Sequence, residues 1–178
     1  MIKFMSMAIK ENIDLEKFKQ VLHYIVSKVG TLDNTGKTVL YKMLYFSDFD
    51  FYEINEKSLT GETYYKLPQG PAPKHFDIAI NQLIKEKKVK FSNGKFFGKR
   101  QNKFLSLSEP CLDKLNGEEI KVIEKVITRL KSMNANQISS YSHEDIPWKA
   151  TIDKKPINYE LVFYRGPIFS VRVENATC

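Results

Sequence analysis

The chain has 178 residues, 42% of them hydrophobic and 28% charged. That balance excludes a largely disordered chain, and the length suits one domain whose core needs neither disulfides nor metal. The formal net charge is +7, and eight lysine and arginine side chains against Glu86 alone between Ile84 and Lys103 equal the whole excess, so one local patch attracts a polyanion or an acidic partner surface.

The first helix is set by Leu15, Phe18, Leu22, Ile25, Val26 and Val29, which share one face at helical spacing. Asp14 is its N-cap, Ile13 and Phe18 stand where a hydrophobic staple lies, and Gly30 suits the stop. A second helix is expected from Gly36 to Asn55. Leu40, Met43, Leu44, Phe51 and Ile54 share one face, and Tyr41, Tyr45, Asp48 and Tyr52 another. A helix apolar or aromatic on two faces is buried or sits against a partner. The glycines and prolines between Ser58 and His75 predict an ordered loop rather than a periodic element. A short helix from Pro73 to Lys87 then turns Phe76, Ile80, Leu83 and Ile84 inward.

Lys88 to Leu107 reads as β structure, with a two-residue turn at Asn93-Gly94 that sets Phe91 opposite Phe96 and Lys90 opposite Phe97. A further strand is expected from Lys103 to Leu107. Asn116 with Glu119 forms a capping box for a fourth helix carrying Ile120, Ile123, Val126, Ile127 and Leu130. Asn134 with Gln137 repeats the signal for a short helix ending near Tyr141. Asp153 to Pro156 is the clearest linker. Beyond it Ile157, Tyr159, Leu161 and Phe163 alternate as a strand does, and Arg165-Gly166-Pro167 would turn it into a second strand, Ile168 to Val173. The fold class is α+β: a mainly helical single domain with a small β-hairpin, winged-helix-like in its helix-then-hairpin order, and a short C-terminal β segment.

No apolar run reaches the ~18 residues of a membrane span. Met1 to Ile9 are mildly apolar but too short for a signal peptide and lack a small-residue cleavage site, so the expected location is cytoplasmic, with Cys111 and Cys178 as free thiols. No cofactor or metal is expected. His23, His75, His143 and the two cysteines contain no closely spaced ligand pair. Gly36-Lys37-Thr38 resembles the end of a phosphate loop, but Thr31 stands where its first glycine belongs, so the tripeptide is read as a helix start.

The segment Lys37 to Phe76 carries a connected set of motifs: Leu44, Tyr45, Phe46 and Asp48 at the end of a helix, then Thr60, Gly61, Tyr64 and Tyr65, then Gly70, Pro71 and Pro73. A later set comprises Ile138, Ser139, Ser142, His143 and Trp148. In order and spacing these resemble the Panacea domain family of SocA-like antitoxins. The resemblance runs from about Leu15 to Phe163, which divides the chain into a Panacea-like domain over 1–163 and a C-terminal strand or tail over 164–178. It implies an antitoxin of a phage-associated toxin–antitoxin pair that binds a cognate protein toxin, in some members delivering it to a protease. It implies no particular toxin.

Candidate partner-binding residues are Tyr41, Tyr45, Asp48, Tyr52, Tyr64, Tyr65, Gly70, Pro71, Pro73, His143 and Trp148. Tyrosine offers large contact area with few rotors, and a proline-rich loop can present a rigid rim. The competing reading is core packing for the tyrosines and an inter-helix angle set by the loop. Ser142, His143, Glu144 and Asp145 suggest a hydrolase, yet neighbours on one segment rarely form a triad, and a histidine that caps or packs beside Trp148 is the simpler expectation; no catalytic residue is assigned. On the basic hairpin Lys90, Lys95, Lys99 and Arg100 suit phosphates, as in a DNA- or RNA-binding regulator. They equally suit a solvated edge-protecting face or an electrostatic guide for an acidic toxin. The last ~20 residues are open to a sheet edge, a homo-oligomer contact or a tail.

Overall fold

In the computed structural model, which describes residues 12–172, helix α2 (Lys37–Asn55) runs through the middle of the molecule. Thirteen of its side chains are buried, on every side of the helix, which is the burial its two apolar faces predict. Around it pack α1 (Leu15–Val29), α4 (Gly117–Leu130) and α5 (Ala135–His143). Ile54, expected on the apolar face, is 44% exposed at the end of α2.

Capping chemistry fixes the helix starts. The Asp14 carboxylate accepts the Lys17 backbone N–H at 2.9 Å. Asn116 with Glu119, and Asn134 with Gln137, form reciprocal capping boxes for α4 and α5. Gly30 does close α1, but in a right-handed conformation; it is small there because a Cβ would lie 2.4 Å from the Phe104 carbonyl oxygen.

The proline-rich segment is not a loop. Strands β1 (Tyr64–Leu67) and β2 (Gly70–Pro73) pair antiparallel across a turn at Pro68-Gln69. Prolines are tolerated because the sheet has only two strands and missing donors fall on an edge. β1 is bonded on its outer side as well, by Lys66 N–H to Lys155 O and Ile157 N–H to Tyr64 O. Pro73 therefore ends a strand, and α3 starts three residues later (Phe76–Lys85).

β3 (Val89–Phe96) and β4 (Lys99–Ser106) form the basic hairpin, but its turn is Phe97-Gly98. Both turn residues have positive φ, 47° and 74°, as a type I′ turn requires. Asn93 and Gly94 lie in mid-strand opposite Asn102 and Gln101. This register places Phe91 across from Phe104, ring centroids 5.6 Å apart, and extends the ladder from Val89 to Ser106. That cross-strand aromatic pair outweighs the local turn preference of Asn-Gly. The separate strand from Lys103 is simply the end of β4.

After the short helix α6 (Ile146–Lys149) the chain departs from its alternating pattern. Ile157 lies beside β1, and Tyr159–Tyr164 wind as a 3-10 helix capped by Asn158. Within and just after this helix Tyr159 is half-buried and Val162 and Arg165 are buried while Phe163 is exposed, so burial follows a three-residue repeat rather than two. The described part of the expected Ile168–Val173 strand is turn and irregular chain; Val173 onward lies outside the described residues. The architecture is thus mainly helical α+β with two small antiparallel sheets, without the C-terminal β segment in its described part. No helix among the described residues is long and apolar enough to cross a membrane.

Candidate functional site

Asp48 explains why the motif residues occur together. Its carboxylate is buried on α2 and accepts the Thr60 backbone N–H at 2.8 Å, the Thr60 hydroxyl at 2.7 Å and the Tyr64 hydroxyl at 2.7 Å. Burial raises its pKa to about 6, against the pull of those bonds. Three residues before Asp48, the Tyr45 hydroxyl donates to Asp145 at 2.9 Å. Asp145 takes two bonds from the Arg165 guanidinium, 2.8 and 2.7 Å, and Arg165 also reaches Asp50 at 2.9 Å and Glu53 at 3.0 Å. Arg129 completes the knot on Asp50 at 2.8 Å. These buried groups tie α2 to β1, α6 and the stretch after the 3-10 helix. Burial pushes the Tyr45 and Tyr64 hydroxyls well above the ordinary phenol range.

A groove of about 720 Å³ opens beside this framework. Its walls are the first turns of α2, the β1–β2 turn and the β4 end of the hairpin, through Lys37, Tyr41, Lys42, Gly70, Arg100 and Gln101. Lys42 is 1% exposed, and its ammonium donates to the Pro71 carbonyl at 3.1 Å. Burial lowers its pKa to about 7. Gly70 sits directly over it at φ 105°, where a Cβ would lie 2.5 Å from Lys42 Cε and 2.4 Å from Ser142 Oγ. Only glycine lets the turn close onto both side chains.

The candidate residues fall into three groups. Tyr41 borders the groove, edge-on to Phe76 at 4.9 Å, with Gly70 and Arg100 also lining it, while Pro71 is buried with its carbonyl on Lys42. Tyr45, Asp48 and Tyr64, expected at a binding face, are buried below: they hold the surface in place and form none of it. Tyr52 lies elsewhere, half-buried against Tyr159 and Phe163. Tyr65 pairs with Ala72 and bridges to Pro156, and Pro73 pairs with Tyr64. His143 stacks on Trp148, centroids 4.2 Å apart, with the Lys66 ammonium 4.2 Å from the indole. That is the packing role expected of His143.

The local Ser-His-Glu-Asp cluster does not assemble a triad. Ser142 donates to the Ser139 carbonyl, Glu144 pairs with Lys149, and Asp145 serves Arg165 and Tyr45. Lys90, Lys95, Lys99 and Arg100 are all exposed, and Lys95 stands directly across from Arg100. Lys42 and Arg165 are buried cations that sequence reasoning did not single out, and Asp145 entered it only within the discounted Ser-His-Glu-Asp cluster. The signal for Lys42 is a lone cation inside the apolar run Val39 to Phe46; Arg165 gives none, because its partners lie 20 to 115 residues away.

No curated protein and no solved structure matches the chain. A family model described as antitoxin SocA-like, Panacea domain, matches residues 40–149, more than half of the chain. The match is narrower than the resemblance read from the motifs: it begins inside α2 and stops at the end of α6, leaving out α1 and the 3-10 helix. It covers Asp48, Thr60, Tyr64 and Gly70 with Lys42 beneath it, so the matched stretch contains both the Asp48 anchor and the groove floor, and the chain belongs to the SocA-like antitoxin family of Panacea domains.

Proposed function

We propose that this protein is an antitoxin that neutralises a cognate protein toxin by direct, stoichiometric binding. Family membership carries the reading, and the groove bordered by Tyr41 supports it: a rigid surface, held from below by buried hydrogen bonds, loses little entropy on binding. Phe97 at the hairpin tip is 88% exposed and lines an adjoining hollow that shares Arg100 and Gln101 with this groove. An exposed aromatic on a rigid turn is an efficient anchor for a protein partner. The exposed cations of the hairpin then act as a guide that speeds encounter with an acidic toxin surface.

Expression of the adjacent gene, alone and with this chain, tests the proposal. Growth arrest that this chain relieves, together with a co-purifying complex, is the expected result. A toxic neighbour whose effect persists, with no complex formed, refutes it. Toxin abundance then separates two modes of action. A constant level marks simple sequestration, and a level that falls only in protease-proficient cells marks delivery to a protease.

A further inference from the structure

Lys42 is the anomaly of the interior. Of the other buried lysine and arginine side chains among the described residues, Lys19 is paired with Glu16 and Glu86, and Arg165 with three carboxylates. Lys42 has one carbonyl at 3.1 Å and the Tyr41 ring at 5.9 Å. An ammonium has three protons to donate, and burying it without a counter-charge opposes folding. The side chain nevertheless lines the groove, with Lys37 and Arg100, and no aspartate or glutamate is among the lining residues. On the same wall Gln101 has a buried Oε1 with no donor.

We propose that this groove receives an acidic segment of the partner protein, with an aspartate or glutamate carboxylate seated on Lys42 and a partner backbone N–H on Gln101. The inference rests on the antitoxin reading above and names the site that reading leaves open. The volume suits several residues rather than a lone ion. An acceptor beside a cation suits a peptide, which has N–H groups to give; a phosphodiester backbone has none.

Proton uptake is the signature. An arriving carboxylate stabilises the charged amine and raises its pKa from about 7. The bound state then holds more protons, so affinity falls as pH rises, by about tenfold per unit well above the free-state value. Four other groups face Lys42. On α2, Lys37 is lowered by burial but lies above its ordinary value because Asp77 and Tyr41 together outweigh that burial, and Tyr41 lies above its own through burial. On α5, His143 is held below 6.5 by burial first and by Lys42 next. Arg100 on β4 is a guanidinium. Among them Lys42 alone titrates between about pH 7 and 9.

The test uses the full chain and two fluorescent peptide pools with randomised flanks, one with a fixed central glutamate and one with glutamine. Anisotropy is read from pH 6.5 to 9 for the native protein, Lys42→Met and Gln101→Leu, with Lys42 Cε followed by NMR. The glutamate pool should bind at least tenfold more tightly at pH 7. That preference should fall about tenfold per unit above pH 8, disappear in Lys42→Met and coincide with a Cε shift. Gln101→Leu should weaken both pools alike and leave the pH slope intact. Equal binding of the two pools, no binding of the glutamate pool, a preference surviving in Lys42→Met, or displacement by phosphate or short DNA without pH dependence would overturn the proposal. Toxin rescue reads the antitoxin function separately. Rescue by Lys42→Met with indistinguishable pools removes the groove and keeps the antitoxin; pool binding without rescue does the reverse.

Discussion

Replacing Lys42 by methionine should stabilise the free protein, and by an amount that depends on pH. The unfolded lysine has its ordinary value near 10.5 and the folded one about 7. Between these limits the unfolded chain binds more protons, so the contribution of this site to stability rises with pH across the window, at up to about 1.4 kcal/mol per unit. Below pH 7 both states are charged, and the folded state bears the full cost of the buried ammonium, on the order of 5 kcal/mol relative to the neutral amine. Methionine keeps the length and removes the charge. It also leaves the Pro71 carbonyl without its donor, a loss of about 1 kcal/mol. Urea unfolding at fixed ionic strength should therefore show Lys42→Met more stable than the native chain by roughly 2–4 kcal/mol at pH 6. The gap should narrow steadily from pH 7 and vanish or reverse near pH 10. Parallel stability curves for the two proteins, whatever their offset, would refute a buried amine that loses its proton near pH 7.

Arg165→Met should cost about 3–5 kcal/mol in the same assay, because it removes the cation shared by Glu53, Asp145 and Asp50 and leaves Asp50 only Arg129 as a charged partner; Arg165→Lys should recover little, since an ammonium cannot span the forked geometry. Tyr64→Phe should cost about 1–3 kcal/mol through the lost bond to Asp48, whereas Tyr52→Phe, which keeps its ring contacts, should stay within about 0.5 kcal/mol. Gly70→Ala should destabilise by at least about 2 kcal/mol, from the left-handed backbone and the clash with Lys42 and Ser142 together. Lys95→Glu with Arg100→Glu should leave the melting temperature nearly unchanged but slow toxin association about tenfold at low salt, measured by stopped flow; an unchanged on-rate argues against a guiding role for the hairpin.

Helix starts were legible because their chemistry is local. Asp14, Asn116 and Asn134 each bond a backbone group three residues on, and a short window contains the whole cause. The hairpin turn was misplaced because its cause is not local. Asn93-Gly94 satisfies every short-range rule, but Phe104 lies well outside that window and decides the register. The alternation from Ile157 to Phe163 misled for a related reason: a 3-10 segment tucked against Tyr52 and Phe49 buries every third residue. For the candidate site, residue type was informative and depth was not. Tyr41 and Tyr45 are four positions apart on one helical face, yet one borders the groove and the other is fully enclosed, because α2 is covered on every side and a face no longer predicts solvent.

The interior position of Asp48, Thr60 and Tyr64 separates the recognisable part of this protein from the part that chooses. The residues by which a chain of this kind is known form its frame, and a frame constrains nothing that docks on it. On the proposed reading, exchange of the hairpin tip, the turn before Gly70 or the rim of the groove would leave the signature whole while altering the choice of adversary. On the antitoxin reading proposed above, such a scaffold meets a different toxin by redecorating its outside, with no need to refold.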